Sequence, residues 1–257
     1  MRSISRSFAD LGPRFRNFLG IELVRIPSGR CVIGAGEGDR DAEDNERPAH
    51  GVEVERPFYL AANSVTLGSY LELRDYPRRE HGAFRDEHAV NFISWDAAES
   101  YIAQLNAVRP VSERCMQYRL PSENEWEYAC RAGASTRFHY GDDEGYERLK
   151  EYAWYGTNAW DAGLRHPQPV GLKTPNDYGL HDMHGNVWEW TSDGWATYED
   201  IVRCGEGVRD ATTRVLRGGG FCHEARYIRA SDRDHYPPSY CHYYTGFRIC
   251  MDVLERL

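Results

Sequence analysis

More than 100 residues in the second half of the chain show no regular hydrophobic periodicity. From Arg131 onward the sequence is rich in Gly, Tyr, Trp, His and Asp, and strand-like runs are short and widely spaced. Structureless stretches of that length are uncommon inside a compact domain. Disorder does not explain them, because 41% of the residues are hydrophobic and 13% are aromatic, whereas disordered chains are poor in both. The sequence therefore predicts a folded domain with little regular secondary structure.

Regular elements are predicted mainly in the first half. Alternating residues within 22–34 are typical of a β-hairpin. Apolar residues recur at helical spacing from Leu67, after Ser94 and after Ser122, where Ser122 starts a capping-box pattern. No linker-like composition or internal repeat divides the chain, so residues 21–253 are predicted to form one domain.

The first 20 residues are interpreted as an N-terminal extension and residues 254–257 as a tail. Within the extension, basic and apolar residues follow a roughly helical spacing that is broken at Pro13. This pattern predicts a short helix packed on the domain or on a partner.

Charge and composition limit the class of protein. The net charge of −9, without a basic cluster, disfavours a nucleic-acid partner. Nothing before Gly20 resembles a secretory signal, and no apolar run approaches the ~20 residues of a membrane-spanning helix. The seven cysteines show no CxxC spacing, so neither a disulfide framework nor a zinc site is indicated. We expect a cytoplasmic protein, with surface display by another route and the oligomeric state left open.

Four motifs carry a resemblance to a known family. They are YRLPSENEWEYA at 118–129, YGLHDMHGNVWEW at 178–190, RVLRGGGF at 214–221 and GFRI at 246–249. In this order they resemble the formylglycine-generating-enzyme (sulfatase-modifying factor) family. The resemblance implies an α+β, C-type-lectin-like fold with two or three helices, small antiparallel sheets and long irregular loops.

The resemblance also implies a possible calcium site at the Gly-Asn-Val-Trp-Glu loop. Calcium prefers oxygen ligands, which Asn186 and Glu189 side chains and the carbonyls of Gly185 and Val187 would supply. The alternative is that Asn186 and Glu189 bond to N–H groups of the loop.

Enzymes of the catalytic branch of this family oxidise a cysteine of a sulfatase. They do so with two cysteines of their own, which lie five residues apart just after the Arg-Gly-Gly motif and bind copper(I). Soft thiolates suit that metal. Here Cys222 follows the motif, but Tyr227 stands five residues on. The sequence therefore predicts no copper and no enzymatic activity, with a formylglycine-generating-type oxidase kept as an alternative.

The segment 221–249 has an unusual composition. Twelve of the 23 residues from Cys222 to Tyr244 are Tyr, His, Asp or Cys, namely Cys222, His223, Tyr227, Asp232, Asp234, His235, Tyr236, Tyr240, Cys241, His242, Tyr243 and Tyr244. A core favours Leu, Val and Ile, whereas Tyr with small polar residues is typical of adaptable binding loops. These twelve residues are predicted to form an exposed surface for a protein or glycan ligand.

The same segment resembles the variable region of diversity-generating-retroelement variable proteins. In those proteins, Asn codons of a template are randomised at their adenines, and all twelve residues are reachable in that way. This resemblance implies a ligand-binding display protein, and an invariant ligand-binding member of the family is an alternative. Arg226, Arg229, Arg233 and Arg248 are interpreted as fixed residues that hold the loops by hydrogen bonds.

Overall fold

The structure, a computed structural model, describes residues 11–76, 84–205 and 210–254. The strands are β1 (Arg14–Arg16), β2 (Glu22–Ile26), β3 (Gly29–Ile33), β4 (His50–Val54), β5 (Phe58–Ala61), β6 (Met116–Arg119), β7 (Trp188–Trp195), β8 (Asp210–Arg217), β9 (Arg233–Tyr236), β10 (Thr245–Phe247) and β11 (Cys250–Val253). The helices are α1 (Leu67–Leu71), α2 (Trp95–Val108), α3 (Glu123–Arg131), α4 (Leu149–Tyr152) and α5 (Tyr198–Cys204).

The strands form three small sheets. The first has the order β1-β2-β5-β11-β6, the second β10-β7-β8-β9, and β3 pairs with β4 in the third. All neighbouring strands are antiparallel except β10 and β7, which are parallel, with Thr245 opposite Trp188. The small sheets and long loops confirm the predicted fold class. The described residues depart from the prediction in two respects: one strand pair is parallel, and there are five α-helices where two or three were expected.

The strands β2 and β3 do not form the predicted hairpin. β2 lies between β1 and β5, whereas β3 pairs along its length with β4. The chain therefore leaves one sheet and enters another at Pro27 and Ser28. Alternating hydrophobicity predicted two strands correctly, but it contains no information about which strand each one pairs with.

The N-terminal residues belong to the domain. Arg14–Arg16 form β1, in register with β2 through the pair Phe15 and Leu23. Leu11 is buried, and Phe15 and Leu19 pack against the larger core cluster. Residues 14–16 are thus a strand and not part of a helix, because β2 has a free edge that this segment covers. Leu11 is helical, and residues 1–10, on which most of the helix prediction falls, lie outside the described residues.

The two longer helices begin as their sequences predict. The Ser94 hydroxyl accepts a hydrogen bond from the Ala97 N–H at 3.1 Å at the start of α2. At α3 the Ser122 hydroxyl accepts from the Glu125 N–H at 3.1 Å, and a Glu125 carboxylate oxygen accepts from the Ser122 N–H at 2.8 Å. This confirms the capping box. No helix among the described residues is long and apolar enough to cross a bilayer.

Buried arginine–carboxylate pairs hold the long loops in place. Each arginine is fully buried, and the pairs are Arg217 with Glu127, Arg229 with Glu46, Arg233 with Glu123 and Arg248 with Glu189. We call these four arginines the arginine framework. The Arg229 guanidinium donates to both Glu46 oxygens at 2.6 and 2.7 Å, and Arg233 to both Glu123 oxygens at 2.7 and 2.8 Å. Such bidentate pairs fix both position and orientation, so they connect segments that no sheet joins.

Three of the four arginines predicted to hold loops do so. Arg229, Arg233 and Arg248 each also donate to backbone carbonyls. Arg226 does not: it is exposed, pairs with Glu224 at 3.2 Å and lies over the Tyr227 ring.

Candidate functional site

A glycine turn after β8 places Cys222. Gly218 and Gly219 have φ of +96° and +75°, and a Cβ on Gly219 would lie 2.3 Å from the Tyr227 carbonyl oxygen. Only glycine fits such a position without strain. Phe221 is fully buried, and its N–H donates to the Asn186 carbonyl at 2.8 Å. The backbone position of Cys222 is therefore fixed by Phe221, the residue before it.

The Cys222 thiol contacts two polar side chains. Its Sγ lies 3.4 Å from Nδ1 of His223, and it is hydrogen-bonded to the Tyr243 side chain. Burial raises the pKa of Cys222 to about 11 and lowers the pKa of His223 to about 4. At neutral pH both groups are uncharged, so the pair is a thiol beside a neutral imidazole and not a preformed thiolate–imidazolium pair.

Tyr227 lies on the other side of His223. Their ring centroids are 6.4 Å apart in an edge-on arrangement. A phenol is not a soft ligand, so the residues at this position do not fit the two-thiolate copper(I) site of the catalytic branch. Within the described ranges, no group of three or more His, Cys, Asp or Glu side chains is placed to hold a metal ion.

Aromatic rings connect Cys222 to the end of β9. The Tyr236 and Tyr240 rings stack at 3.9 Å, and the hydroxyl groups of Tyr240 and Tyr244 are 2.8 Å apart. The His242 ring lies 4.3 Å from that of Tyr243 and 4.2 Å from that of Tyr244. We call the set His223, Tyr227, Tyr236, Tyr240, His242, Tyr243 and Tyr244 the aromatic cluster.

The structure brings most, but not all, of the twelve predicted site residues together. Cys222 and the seven residues of the aromatic cluster form one connected set, and Asp234 joins it through a hydrogen bond to Tyr236. Ten of the twelve are partly exposed and Cys241 is exposed. Cys241 contacts the Phe92 carbonyl at 3.0 Å.

His235 and Asp232 lie outside this set. Successive side chains of a strand point to opposite faces, so His235 of β9 points away from its neighbours and stacks on Trp195 at 4.0 Å. Asp232 is only 3% exposed and lies 3.6 Å from the Arg229 guanidinium. Its predicted exposure is therefore wrong, because composition does not distinguish a solvent-facing Asp from one buried beside a framework arginine.

The Glu189 carboxylate, a possible calcium ligand, is occupied by protein donors. Ser64 and Trp126 donate to its two oxygens at 2.5 and 2.8 Å, and Arg248 donates to both. The carboxylate charge is thus already balanced by a buried guanidinium. A cation at Glu189 would compete with Arg248.

Asn186 is occupied in the same way. Its Oδ1 accepts from the Gln168 N–H at 2.9 Å, and its Nδ2 donates to the Gln168 carbonyl at 3.2 Å. Gly185 has φ of +83°, and a Cβ there would meet the Trp154 carbonyl oxygen at 2.2 Å, while Val187 packs its side chain against Gly246. The Asn186 and Glu189 side chains are thus engaged by protein donors and acceptors and do not fit the role of calcium ligands, and their hydrogen bonds hold the surrounding loops together.

A small pocket lies on the side of Tyr243 away from Cys222 and shares the Tyr243 side chain with it. It has a volume of about 190 Å³ and is lined by Tyr76, Phe84, Asn91, Phe92, Trp160, Arg165, His166 and Tyr243. Trp160 stacks on Tyr243 at 5.5 Å, and Phe221 meets Tyr243 edge-on at 5.9 Å. Sequence reasoning missed every lining residue except Tyr243. The available signal was the high aromatic content of the irregular half, which did not indicate which rings would meet.

The small sheets, the buried arginine–carboxylate pairs that hold the loops and the segment around Cys222 together define a C-type-lectin-like domain of the formylglycine-generating-enzyme type. The model of the sulfatase-modifying factor enzyme 1-like domain matches residues 7–253. The chain belongs to this family. A formylglycine-generating enzyme of Streptomyces coelicolor is 30% identical over 95% of this chain and 94% of that protein.

The mouse formylglycine-generating enzyme is 32% identical over 66% of this chain, and the match spans about half of that relative, 46% of its length. Among solved structures, PvdO from Pseudomonas aeruginosa superposes with a TM-score of 0.79 at 26% identity, covering 94% of this chain and 98% of PvdO. Treponema denticola variable protein 1 superposes with a TM-score of 0.71 at 20% identity, covering 90% and 94%. The latter likeness shows the fold alone.

These relatives contradict the prediction that the chain is not an enzyme. The relatives from mouse and Streptomyces coelicolor both carry an enzyme name. The prediction rested on the missing second cysteine. That absence disfavours the two-thiolate copper(I) site, but it does not exclude catalysis by other residues of the same loop.

Proposed function

We propose that this chain is an oxidoreductase of the formylglycine-generating-enzyme family, with the Cys222 thiol at its reactive centre. The observation that carries the proposal is the position of Cys222. It follows the Gly-Gly-Gly-Phe turn, contacts His223 and Tyr243, and is separated by Tyr243 from an aromatic pocket of about 190 Å³. A concave apolar pocket beside a reactive group is the usual form of a substrate site.

The two neighbours of Cys222 have distinct roles in the proposal. A thiol reacts as its thiolate, and the neutral His223 imidazole, with Nδ1 at 3.4 Å from Sγ, orients the Cys222 thiol by a hydrogen bond. The Tyr243 side chain forms a hydrogen bond that lowers the pKa of Cys222 against the effect of burial. Tyr243 also forms a pocket wall, so substrate binding and thiol activation involve the same side chain.

The test is an oxidation assay with a sulfatase-derived cysteine peptide. The purified chain, the peptide and a thiol reductant are incubated in air, and the peptide mass and oxygen uptake are followed. We expect Cys222→Ser to lower turnover by at least about 100-fold, as for loss of a nucleophile. The matched control is Cys204→Ser, at the exposed C-terminal residue of α5, with unchanged turnover. Equal turnover of Cys222→Ser and wild type, or no oxidation by the wild type, contradicts the proposal.

A second candidate function is a diversified ligand-binding surface formed by the aromatic cluster. What supports it is that the seven rings are connected and each keeps partial exposure. Rigid Tyr side chains provide large contact areas at low entropic cost. A protein or glycan ligand would then contact the face that contains Tyr236 and Tyr240.

Sequencing the same locus in several isolates separates the two candidates. Differences confined to the twelve positions, with a near-identical template and a reverse transcriptase nearby, support the diversified surface. A uniform sequence across isolates excludes it, and leaves the oxidoreductase and an invariant ligand-binding protein to be separated by the peptide assay.

A further inference from the structure

We infer that the pocket beside Tyr243 binds a single aromatic ring that carries a negative charge. The inference rests on the proposed function to the extent that it names the class of molecule entering that pocket. Binding is nevertheless measurable without any reaction.

The walls of the pocket are aromatic. Five rings line it, those of Tyr76, Phe84, Phe92, Trp160 and Tyr243. Aromatic rings favour offset or edge-on contacts with another ring. An apolar cavity of about 150 Å³ holds one benzene ring, so a volume of about 190 Å³ accommodates one ring and a small substituent.

Asn91 does not provide the polar recognition. Its Oδ1 accepts from the Tyr76 hydroxyl at 2.7 Å, and its Nδ2 donates to the Tyr243 carbonyl at 2.6 Å. Both ends of the amide are therefore used to fix two walls of the pocket. The ligand's substituent must be recognised by another side chain.

Arg165 is the side chain in position to do so. Its guanidinium lies 5.2 Å from the centroid of the Trp160 ring, and the residue is exposed. Of the carboxylates in the described ranges, none forms an ion pair with it. The buried arginines of the framework, in contrast, are each paired with a glutamate. Among the described residues, Arg165 therefore has no carboxylate partner and can direct its donors to a ligand.

Arg165 is the one permanently charged side chain among the described lining residues. His166 also lines the pocket, and its ring lies 5.3 Å from that of His88. A cationic substituent would be repelled by Arg165, and a neutral one would gain no charge-assisted hydrogen bond. An aryl carboxylate places its ring between the aromatic walls and its charge beside the guanidinium.

The experiment compares three probes of similar size: benzoate, benzyl alcohol and benzylamine. Their dissociation constants are measured by calorimetry at pH 7.5 and low ionic strength, where exposed charges are least screened. We expect benzoate to bind at least about fivefold more tightly than benzyl alcohol, as for a partly exposed ion pair, and benzylamine to bind most weakly.

Two variants and one control locate the effect. Arg165→Gln should remove the preference for benzoate over benzyl alcohol, and Trp160→Leu should weaken both by at least about fivefold. The control is Arg148→Gln, because Arg148 is also exposed and lies over the Tyr140 and Tyr152 rings, 5.2 and 5.4 Å away, away from the pocket. It should bind as the wild type does.

Equal binding of the three probes, no binding of benzoate, or an unchanged preference in Arg165→Gln overturns the inference. The peptide acetyl-Gly-Gly-Phe also presents an aromatic ring and a carboxylate, at its C-terminal residue. Tighter binding of this peptide than of benzoate assigns the pocket to peptide ligands, and weaker binding assigns it to small aromatic acids. If benzoate binds but the cysteine peptide is not oxidised, the inference stands and the proposed function fails.

Discussion

The arginine framework and the aromatic cluster both lie in the last third of the chain, yet the first consists of charged side chains in ion pairs and the second of uncharged rings. Arg229 and Arg233 are fully buried and each meets a glutamate with two hydrogen bonds. Burial keeps His223 of the aromatic cluster and the adjacent Cys222 uncharged, and the rings of the cluster retain partial exposure. One region stabilises the fold by pairing ions, and the other preserves neutral, accessible groups for chemistry or binding.

The largest expected effect comes from breaking a framework pair. Arg229→Ala leaves the Glu46 carboxylate buried without its partner, and an unpaired buried charge costs about 3–5 kcal/mol. Urea denaturation should show that loss in the free energy of unfolding. Arg229→Met combined with Glu46→Leu should recover part of it, since Asp39 and Asp232 also lose the Arg229 guanidinium. A double variant as unstable as the single one would argue against ion pairing with Glu46 as the source.

A second prediction concerns the turn that carries Cys222. Gly219→Ala forces a Cβ against the Tyr227 carbonyl at a positive φ, so we expect a loss of about 2–3 kcal/mol. Gly133→Ala is the control, since its φ is +92° with open space around it, and should cost about 1 kcal/mol. Thermal unfolding of both variants measures the difference, and equal losses would mean that the close approach contributes nothing.

A third prediction uses the neutrality of His223. Its folded pKa of about 4 lies below the ordinary value, so the unfolded chain binds more protons between pH 6.5 and 4, and stability falls as the pH falls through this range. The His223 contribution is about 2 kcal/mol after allowance for its partial exposure. Comparing wild type with His223→Gln in urea at pH 7 and pH 4.5 isolates it. An identical pH dependence in the two proteins would show that His223 is not held neutral.

The smallest effect on the free energy of unfolding is expected at Tyr236 of the aromatic cluster. Tyr236→Leu removes the stacking contact with Tyr240 at 3.9 Å, and such pairs contribute about 1 kcal/mol. The variant should therefore unfold almost as the wild type does in a denaturant titration. A loss as large as that of Arg229→Ala would place Tyr236 in the framework and remove the contrast between the two regions.

Local features of the fold were predictable from the sequence because they depend on residues close together in the chain. The capping box at Ser122 and the N-cap at Ser94 are examples. The roles of Arg229, Arg233 and Arg248 were also predicted, from the resemblance to variable proteins, but the same interpretation included Arg226, which is exposed. Strand pairing was not predictable, as β2 and β3 show, because the same alternation suits several partners.

The candidate site was predicted in part for the same reason. Cys222, His223 and Tyr243 lie within one segment whose composition is unusual. Trp160 and Arg165 come from a loop about 60 residues earlier, and no periodicity marks them, so their approach to Tyr243 depended on how the loops pack.

The sequence by itself determined the family, the irregular α+β architecture and the tyrosine-rich character of the segment after Gly220. Tertiary structure decided which of those residues face solvent, with Asp232 buried beside Arg229 and His235 pointing away from the cluster. It also decided that Glu189 is neutralised by Arg248. The physical reason is that burial and charge pairing depend on distances between segments remote in sequence, which residue types and local spacing do not contain.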